Sequence, residues 1–504
     1  MNNNSLRLQH NFQRKNTRFC PENHSAHEWR LHMALPNTHL GPKSIGELLD
    51  GKKNMFFDGI CGISMNSLAH ISALRGHHVS GYDRSPSPIT RRLEQAGITV
   101  YYEADPVHMQ GCDALIYTVA MGEDNPEYRY AGVHGIPRIS RADYLGYIMS
   151  GYRERIGISG THGKSTTTGM VARILSWADT DPTVFNGAEM KETGTVDRIG
   201  GDTFFAFEAC EYMDSFLDFC PTIAVVLNIE LDHVDYFPSL DAIRQSFTAF
   251  MNKTGPAGYA VINANDPDCL EAAHGYTGNL ITFGNRNPLA DYWSQNITTD
   301  HGRASFDVMK GKEKLARVHL QIPGKHNISD ALAAFAACHI CGVDPEKIAE
   351  GLGAYEGICR RMDHIGETAA GAAVYSDYAH HPTEIEATLS GAAAMGYSRL
   401  TAVFQPHTYS RTAQLFGDFV RSLSQSEADE IVLCDIYAAR ETNTYGVTSI
   451  ELAGAITAAG KPCRVISDFA EAAAYCTKVT PADGMVLIMG AGDVIKIGDI
   501  ITKG

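Results

Sequence analysis

Beyond residue 50 the chain alternates short apolar runs with amphipathic stretches, a pattern that predicts parallel strands joined by helices in an α/β fold. The first unit has strand-like MFFDGI (55–60), HHVSGYD (77–83) and ALIYTVA (114–120), with helix-like MNSLAHISALR (65–75) after the first turn. A second unit opens at RIGISG (155–160), runs into helix STTTGMVARILSWA (165–178), and adds strands FFAFEAC (204–210), TIAVVLNI (222–229) and GYAVINA (258–264). GKHNISDALAAFAACHICG (324–342) predicts a loop and then an Ala-rich helix. A third set follows: AAVYSDY (372–378), LTAVFQPH (400–407), EIVLCDIY (430–437) and GMVLIMG (484–490). The pattern divides the chain into domains at 51–153, 154–355 and 356–504. Residues 1–50, polar and without clear periodicity, are expected to form a mobile extension that carries no chemistry.

Composition narrows the classes. Of 504 residues, 44% are hydrophobic and 20% charged, as in an ordinary globular protein, and no apolar run approaches a bilayer span. The formal charge of −16 argues against nucleic acid or anionic membrane as a partner, so anionic substrates need local cationic pockets. Twelve scattered cysteines fit reduced thiols in a cytoplasm better than a disulfide framework. The Cys338-x-x-Cys341 pair lies late in a predicted helix and reads as packing.

The strongest chemical signal is Gly157-Ile-Ser-Gly160-Thr161-His162-Gly163-Lys164-Ser165-Thr166, between a predicted strand and helix. Backbone N–H groups and the helix N-terminus in such a turn cradle phosphate, Lys164 neutralises its charge, and the Ser165 hydroxyl is placed for Mg²⁺. The strict spacing of the generic loop wants glycine at 158, where Ile stands. An earlier turn, Gly59-Ile-Cys61-Gly62-Ile-Ser64, follows the first strand, and Asp83 ends the second at the position for a ribose hydroxyl. That pair also fits an NAD-dependent dehydrogenase, against which the later phosphate loop counts. Carboxylates and an imidazole end two further strands, at Glu208-Ala-Cys-Glu211 and Asn228-Ile-Glu230-Leu-Asp232-His233-Val-Asp235. Acids after strands often only cap the next helix, which stands as the alternative reading of Glu211 and Asp235.

The stretch G-T-H-G-K-S-T resembles the ATP loop of the Mur ligases, the amide-forming enzymes that build the peptidoglycan stem peptide, and the likeness runs from about residue 55 to the C-terminus. The resemblance implies three domains: a Rossmann-like nucleotide-sugar domain, a central P-loop ATPase domain with a mostly parallel sheet, and a C-terminal Rossmann-like domain. It implies that ATP is held by residues 160–166, Asn327, Arg361 and Asp377. Mg²⁺ falls to Ser165 and Glu208, with His233 at a second ion. Gly59, Gly62 and Asp83 face the sugar nucleotide, whose turn departs from the family at Cys61 and Ser64. Tyr378, His407 and Arg411 receive the amino acid, with Thr408 where some relatives carry Arg. Lys164, Glu208, His233, Arg360 and His380 carry the chemistry. The helix after the acidic motif, AIRQSFTAFM (242–251), lacks the lysine that several sister enzymes carbamylate, which resembles the alanine-adding branch. The implied reaction is ATP-dependent joining of L-alanine to the lactyl carboxylate of UDP-N-acetylmuramate through an acyl phosphate, by a monomer or homodimer. A tripeptide-recycling ligase of the same family and a silent sugar-nucleotide-binding paralogue are the alternatives.

Overall fold

The computed structural model describes residues 35–119, 121–233, 236–439 and 441–503. Three sheets follow one another along the chain. The first has five parallel strands, with Asn54–Asp58 between His78–Tyr82 and Ala114–Tyr117. The second has ten strands, with Glu154–Ser159 between Ile223–Val226 and Phe204–Glu208. In the third, of six strands, Met485–Met489 lies between Ala373–Asp377 and Leu400–Phe404. In each sheet the chain reverses its winding beside that central strand, and ligands bind outside the carboxyl ends at such a point. The predicted strands are all present. The stretch 292–323, which had no assignment from periodicity, adds three antiparallel strands to the central sheet at Tyr292–Asp300, Arg303–Lys310 and Glu313–Pro323.

The expected extension differs from the structure over residues 35–50; residues 1–34 lie outside the described residues. Leu35 is buried, and helix Pro42–Leu49 packs Ile45 and Leu49, four apart on one stripe, against helix Arg141–Met149. Asp143 fastens the entry by accepting from Leu40 N (2.7 Å) and the Thr38 hydroxyl (2.5 Å).

One apolar cluster runs from the first sheet (Phe57, Leu68, Leu145) into one face of the second (Phe205, Phe207, Phe250). The other face of the second sheet has its own cluster, in which Cys338 is fully buried among Ala and Phe side chains. The third domain closes two separate clusters over its own sheet. Among the described residues, then, the first two domains share a core and the third meets them across a largely polar seam. The chain crosses that seam through Gly357, Arg360 and Met362, all at positive φ.

Candidate active site

Gly160 (φ 141°) and Gly163 (φ 85°) bend the loop that joins strand Glu154–Ser159 to helix Lys164–Trp177. A Cβ on Gly163 would stand 2.7 Å from Asp330 Oδ1, so only glycine allows the approach. Asn228 clamps the loop from the neighbouring strand end, accepting from His162 N (2.8 Å) and donating to His162 O (3.0 Å). Lys164 Nζ donates to Gly160 O (2.6 Å) and lies 3.1 Å from Glu211. Burial alone would lower the lysine's pKa, but Glu211 outweighs it and raises it above the ordinary range. Glu211 caps nothing: fully buried, it pairs with Lys164 and, at 3.6 Å, with His233 Nε2. Asp235 lies outside the described residues. The Ser165 hydroxyl donates to Glu208 Oε2 (2.5 Å), which also accepts from Gly187 N (3.0 Å). Ser165 and Glu208 are adjacent hard oxygen donors at the loop, a set that suits Mg²⁺; His233 stands instead as Glu211's partner.

Glu384, in the first turn of helix Pro382–Ala393, reaches across the seam to this loop. Its carboxylate lies 3.3 Å from His162 Nδ1 and 3.4 Å from Arg361 Nη1, and accepts from the amides of His380 (3.0 Å) and His381 (3.3 Å). These cations hold its pKa well below the carboxylate range against the effect of burial. Burial would likewise lower His162, but Glu230 and Glu384 outweigh it and raise the imidazole to about 9.

Beside the loop opens a cleft between the second and third domains. Ile322, Pro323, Ile358, Met362 and Ala387 supply apolar wall, and Asn327, Asp330, Arg361 and Asp377 supply polar groups. A flat base and a ribose fit such a lining. Asn327 does not cap its helix: it lies just inside Asn327–Ile340 and donates to Pro323 O (2.7 Å). Asp377 accepts from Met362 N and Ala379 N, both 2.8 Å, which ties the crossing segment to the third sheet. Asp330 is raised by burial to about 7. The two neighbouring arginines part company. Both guanidinium groups lie over Tyr378, at 4.7 Å for Arg360 and 5.4 Å for Arg361, but Arg361 lines the cleft whereas Arg360 donates to Gly490 O (2.5 Å) and Gly492 O (3.1 Å).

Past the third sheet's strand ends, His380, His407 and Tyr437 form a row of rings, with centroids 5.9 and 5.6 Å apart. Burial pushes His380 down to about 4, so it is neutral near pH 7. Its Nδ1 lies 3.1 Å from Tyr378 O, which places the hydrogen there and the lone pair on Nε2. Thr408 holds φ 66° and caps the helical turn Tyr409–Gln414. That turn directs Arg411 to His407 Nδ1 (3.4 Å) and to Asp232 Oδ1 (3.2 Å) of the second domain. Arg411 therefore already has one carboxylate partner, and the remaining donors of its fork are those open to a second.

In the first domain Gly59 takes φ 76°, and its N–H and that of Ile60 donate to Tyr82 O. Gly62 precedes helix Ile63–Leu74. Asp83 accepts from Cys61 N at 2.8 Å, which fastens the end of the second strand to the glycine turn. Ser64 accepts from Arg141 Nη1 (3.2 Å), which brings a guanidinium to this helix start.

Comparison with known proteins matches the whole of this arrangement in order. The model of the Mur ligase family catalytic domain matches residues 57–153, that of the Mur ligase middle domain 158–338, and that of the Mur ligase glutamate ligase domain 360–492. The UDP-N-acetylmuramate–L-alanine ligase of Caldicellulosiruptor saccharolyticus is 41% identical over 88% of this chain and 97% of its own. That of Clostridium novyi is 40% identical over 91% and 99%. This chain belongs to the Mur ligase family. Among solved structures, the Thermotoga maritima UDP-N-acetylmuramate-alanine ligase superposes with a TM-score of 0.74 at 26% identity, over 88% of this chain and 97% of its own. A murein peptide ligase from Psychrobacter arcticus does so with a TM-score of 0.65 at 25% identity, over 89% and 98%.

Reading the Mur ligase sequence by motif passes over Arg141, Asn186 and Glu384, and it finds Asn228 and Glu230 at a strand end without giving either a role. Asn186 donates to Ser165 O (3.1 Å) and the Glu230 N–H donates to Thr161 Oγ1 (2.8 Å), so both support the phosphate loop from outside it, while the Glu230 carboxylate accepts from Thr383 Oγ1 (2.9 Å) of the third domain. Glu384 had a signal, because it stands three residues after His381 at the reciprocal position of a capping box before an apolar helix. Arg141 had none; only folding brings it to Ser64.

Proposed function

We infer that this Mur ligase joins L-alanine to the lactyl carboxylate of UDP-N-acetylmuramate, using ATP, in the bacterial cytoplasm. The observation that carries the reading is the closed seam itself. The phosphate loop (Lys164, Ser165), with Glu208 at the neighbouring strand end, meets the third-domain segments that carry His380 and His407–Arg411 across it, linked by Glu384 and Asp232, in a chain about 40% identical to enzymes of that name. A carboxylate repels a nucleophile and has no leaving group, so it must first be phosphorylated. Transfer of the ATP γ-phosphoryl to it gives an acyl phosphate and ADP, and attack by the alanine amine then forms the amide and expels phosphate. Lys164 leaves Glu211 for the β- and γ-phosphates, and Arg361 meets the phosphates from the far wall. Mg²⁺, held by Ser165 and Glu208, supplies charge neutralisation when bound. Asn327 and Asp377 position adenine and ribose. Neutral His380 accepts a hydrogen bond from the incoming amine on Nε2; the burial that keeps it neutral also makes it a weak base, so it orients the amine rather than keeping its proton. Helix Ile63–Leu74 and Arg141 receive the sugar-nucleotide diphosphate.

Phosphate release measured with UDP-N-acetylmuramate and single amino acids or the stem tripeptide tests this reading. Release with L-alanine is expected. Release with the tripeptide alone would assign the murein-peptide activity instead, and release with neither would leave a binding protein.

A further inference from the structure

The face of His162 turned away from Glu384 meets donors that the proposed reaction does not use. His162 Nε2 lies 3.5 Å from Glu230 Oε2, and His381 Nδ1 lies 4.0 Å from the same oxygen. One donor atom from each of the three residues lies within 4.8 Å of the other two. The Nε2 atoms of His162 and His381 are both buried without a hydrogen-bond partner, and His381 is only 6% exposed. The proton that Glu230 helps hold on His162 spans a long 3.5 Å contact, and His381 reaches the same oxygen only at 4.0 Å through Nδ1, so a cation that replaced this proton would draw all three side chains into closer contact.

We propose that His162, Glu230 and His381 form a binding site for a divalent transition metal ion of the zinc class. Two imidazoles and one carboxylate make the three-ligand set that such an ion takes with a further position open. The two nitrogen donors disfavour Mg²⁺, which the oxygen pair Ser165–Glu208 on the other side of the loop suits better. Ligand atoms around a tetrahedral zinc stand about 3.4 Å apart, given bonds of about 2.0–2.1 Å, so the observed separations need only small side-chain rotations. His381 Nδ1 makes just a 3.4 Å contact with the Thr383 amide, and the ring loses little by turning. His162 and Glu230 come from the second domain and His381 from the third, so the ion would tie the phosphate loop to the third domain and hold the seam shut.

Cobalt(II) serves as the spectroscopic probe, titrated into the nucleotide-free full chain with excess Mg²⁺ to fill oxygen-rich sites. One Co²⁺ is expected to bind with visible bands of low coordination and without sulfur-to-metal charge transfer, and zinc should displace it. Small-angle scattering should show contraction on binding. Glu230→Gln and His381→Asn, the second keeping a helix-capping side chain, should each weaken Co²⁺ by about tenfold or more. Both should abolish the contraction while leaving circular dichroism unchanged. Unaltered affinity in both variants, a thiolate spectrum, or no Co²⁺ uptake in the presence of Mg²⁺ would overturn the proposal. Should one variant misfold, the other decides.

Discussion

Glu384 Oε1 lies 3.3 Å from His162 Nδ1, joining the third domain's first helical turn to the loop that faces phosphate. The same carboxylate holds Arg361 and the amides of His380 and His381, so one side chain positions the groups on both sides of the reaction.

Glu384→Gln keeps the shape and removes the charge. His162 and Arg361 then lose their shared anion, and kcat/KM should fall about tenfold or more, the scale of losing a buried charge-assisted hydrogen bond. Steady-state kinetics with ATP varied measures it, and an unchanged kcat/KM would remove Glu384 from the account.

The seam should loosen at high pH. His162 titrates at about 9 folded against an ordinary 6.5, so its pairing contributes fully below 6.5 and is lost as pH rises through about 9. Scattering of the liganded enzyme should therefore show a compact form at neutral pH that expands past about 9, and the expansion should be blunted in His162→Asn.

Gly163→Ala places a methyl against Asp330 at a left-handed φ. The backbone alone costs about 1–2 kcal/mol, and ATP binding followed by calorimetry should drop sharply while the sugar nucleotide still binds.

Arg141→Ala removes the guanidinium at Ser64. The Michaelis constant for the sugar nucleotide should rise roughly 10- to 100-fold, as for losing a charge-assisted contact of about 1.5–3 kcal/mol, with that for ATP unchanged. Equal effects on both substrates would instead mark Arg141 as structural.

Local pattern by itself determined most of the strands, the strand–loop–helix at 155–178 and the residues of the phosphate loop. Period-two and period-3.6 burial and the glycine demands of a phosphate turn are properties of neighbouring residues. It left helix Pro42–Leu49 unseen, because eight residues offer a short stripe whose partner, Arg141–Met149, lies far along the chain. It could not separate Arg360 from Arg361, since adjacent residues in one motif diverge only when the crossing segment takes positive φ and sends one to Gly490 and the other to the cleft. Nor could it tell that Glu211 neutralises Lys164 rather than capping a helix, or that Asp83 braces Cys61. Only the tertiary structure decided those partnerships. A carboxylate's role depends on which cation or amide folding brings within about 3 Å of it, and long-range packing fixes that distance.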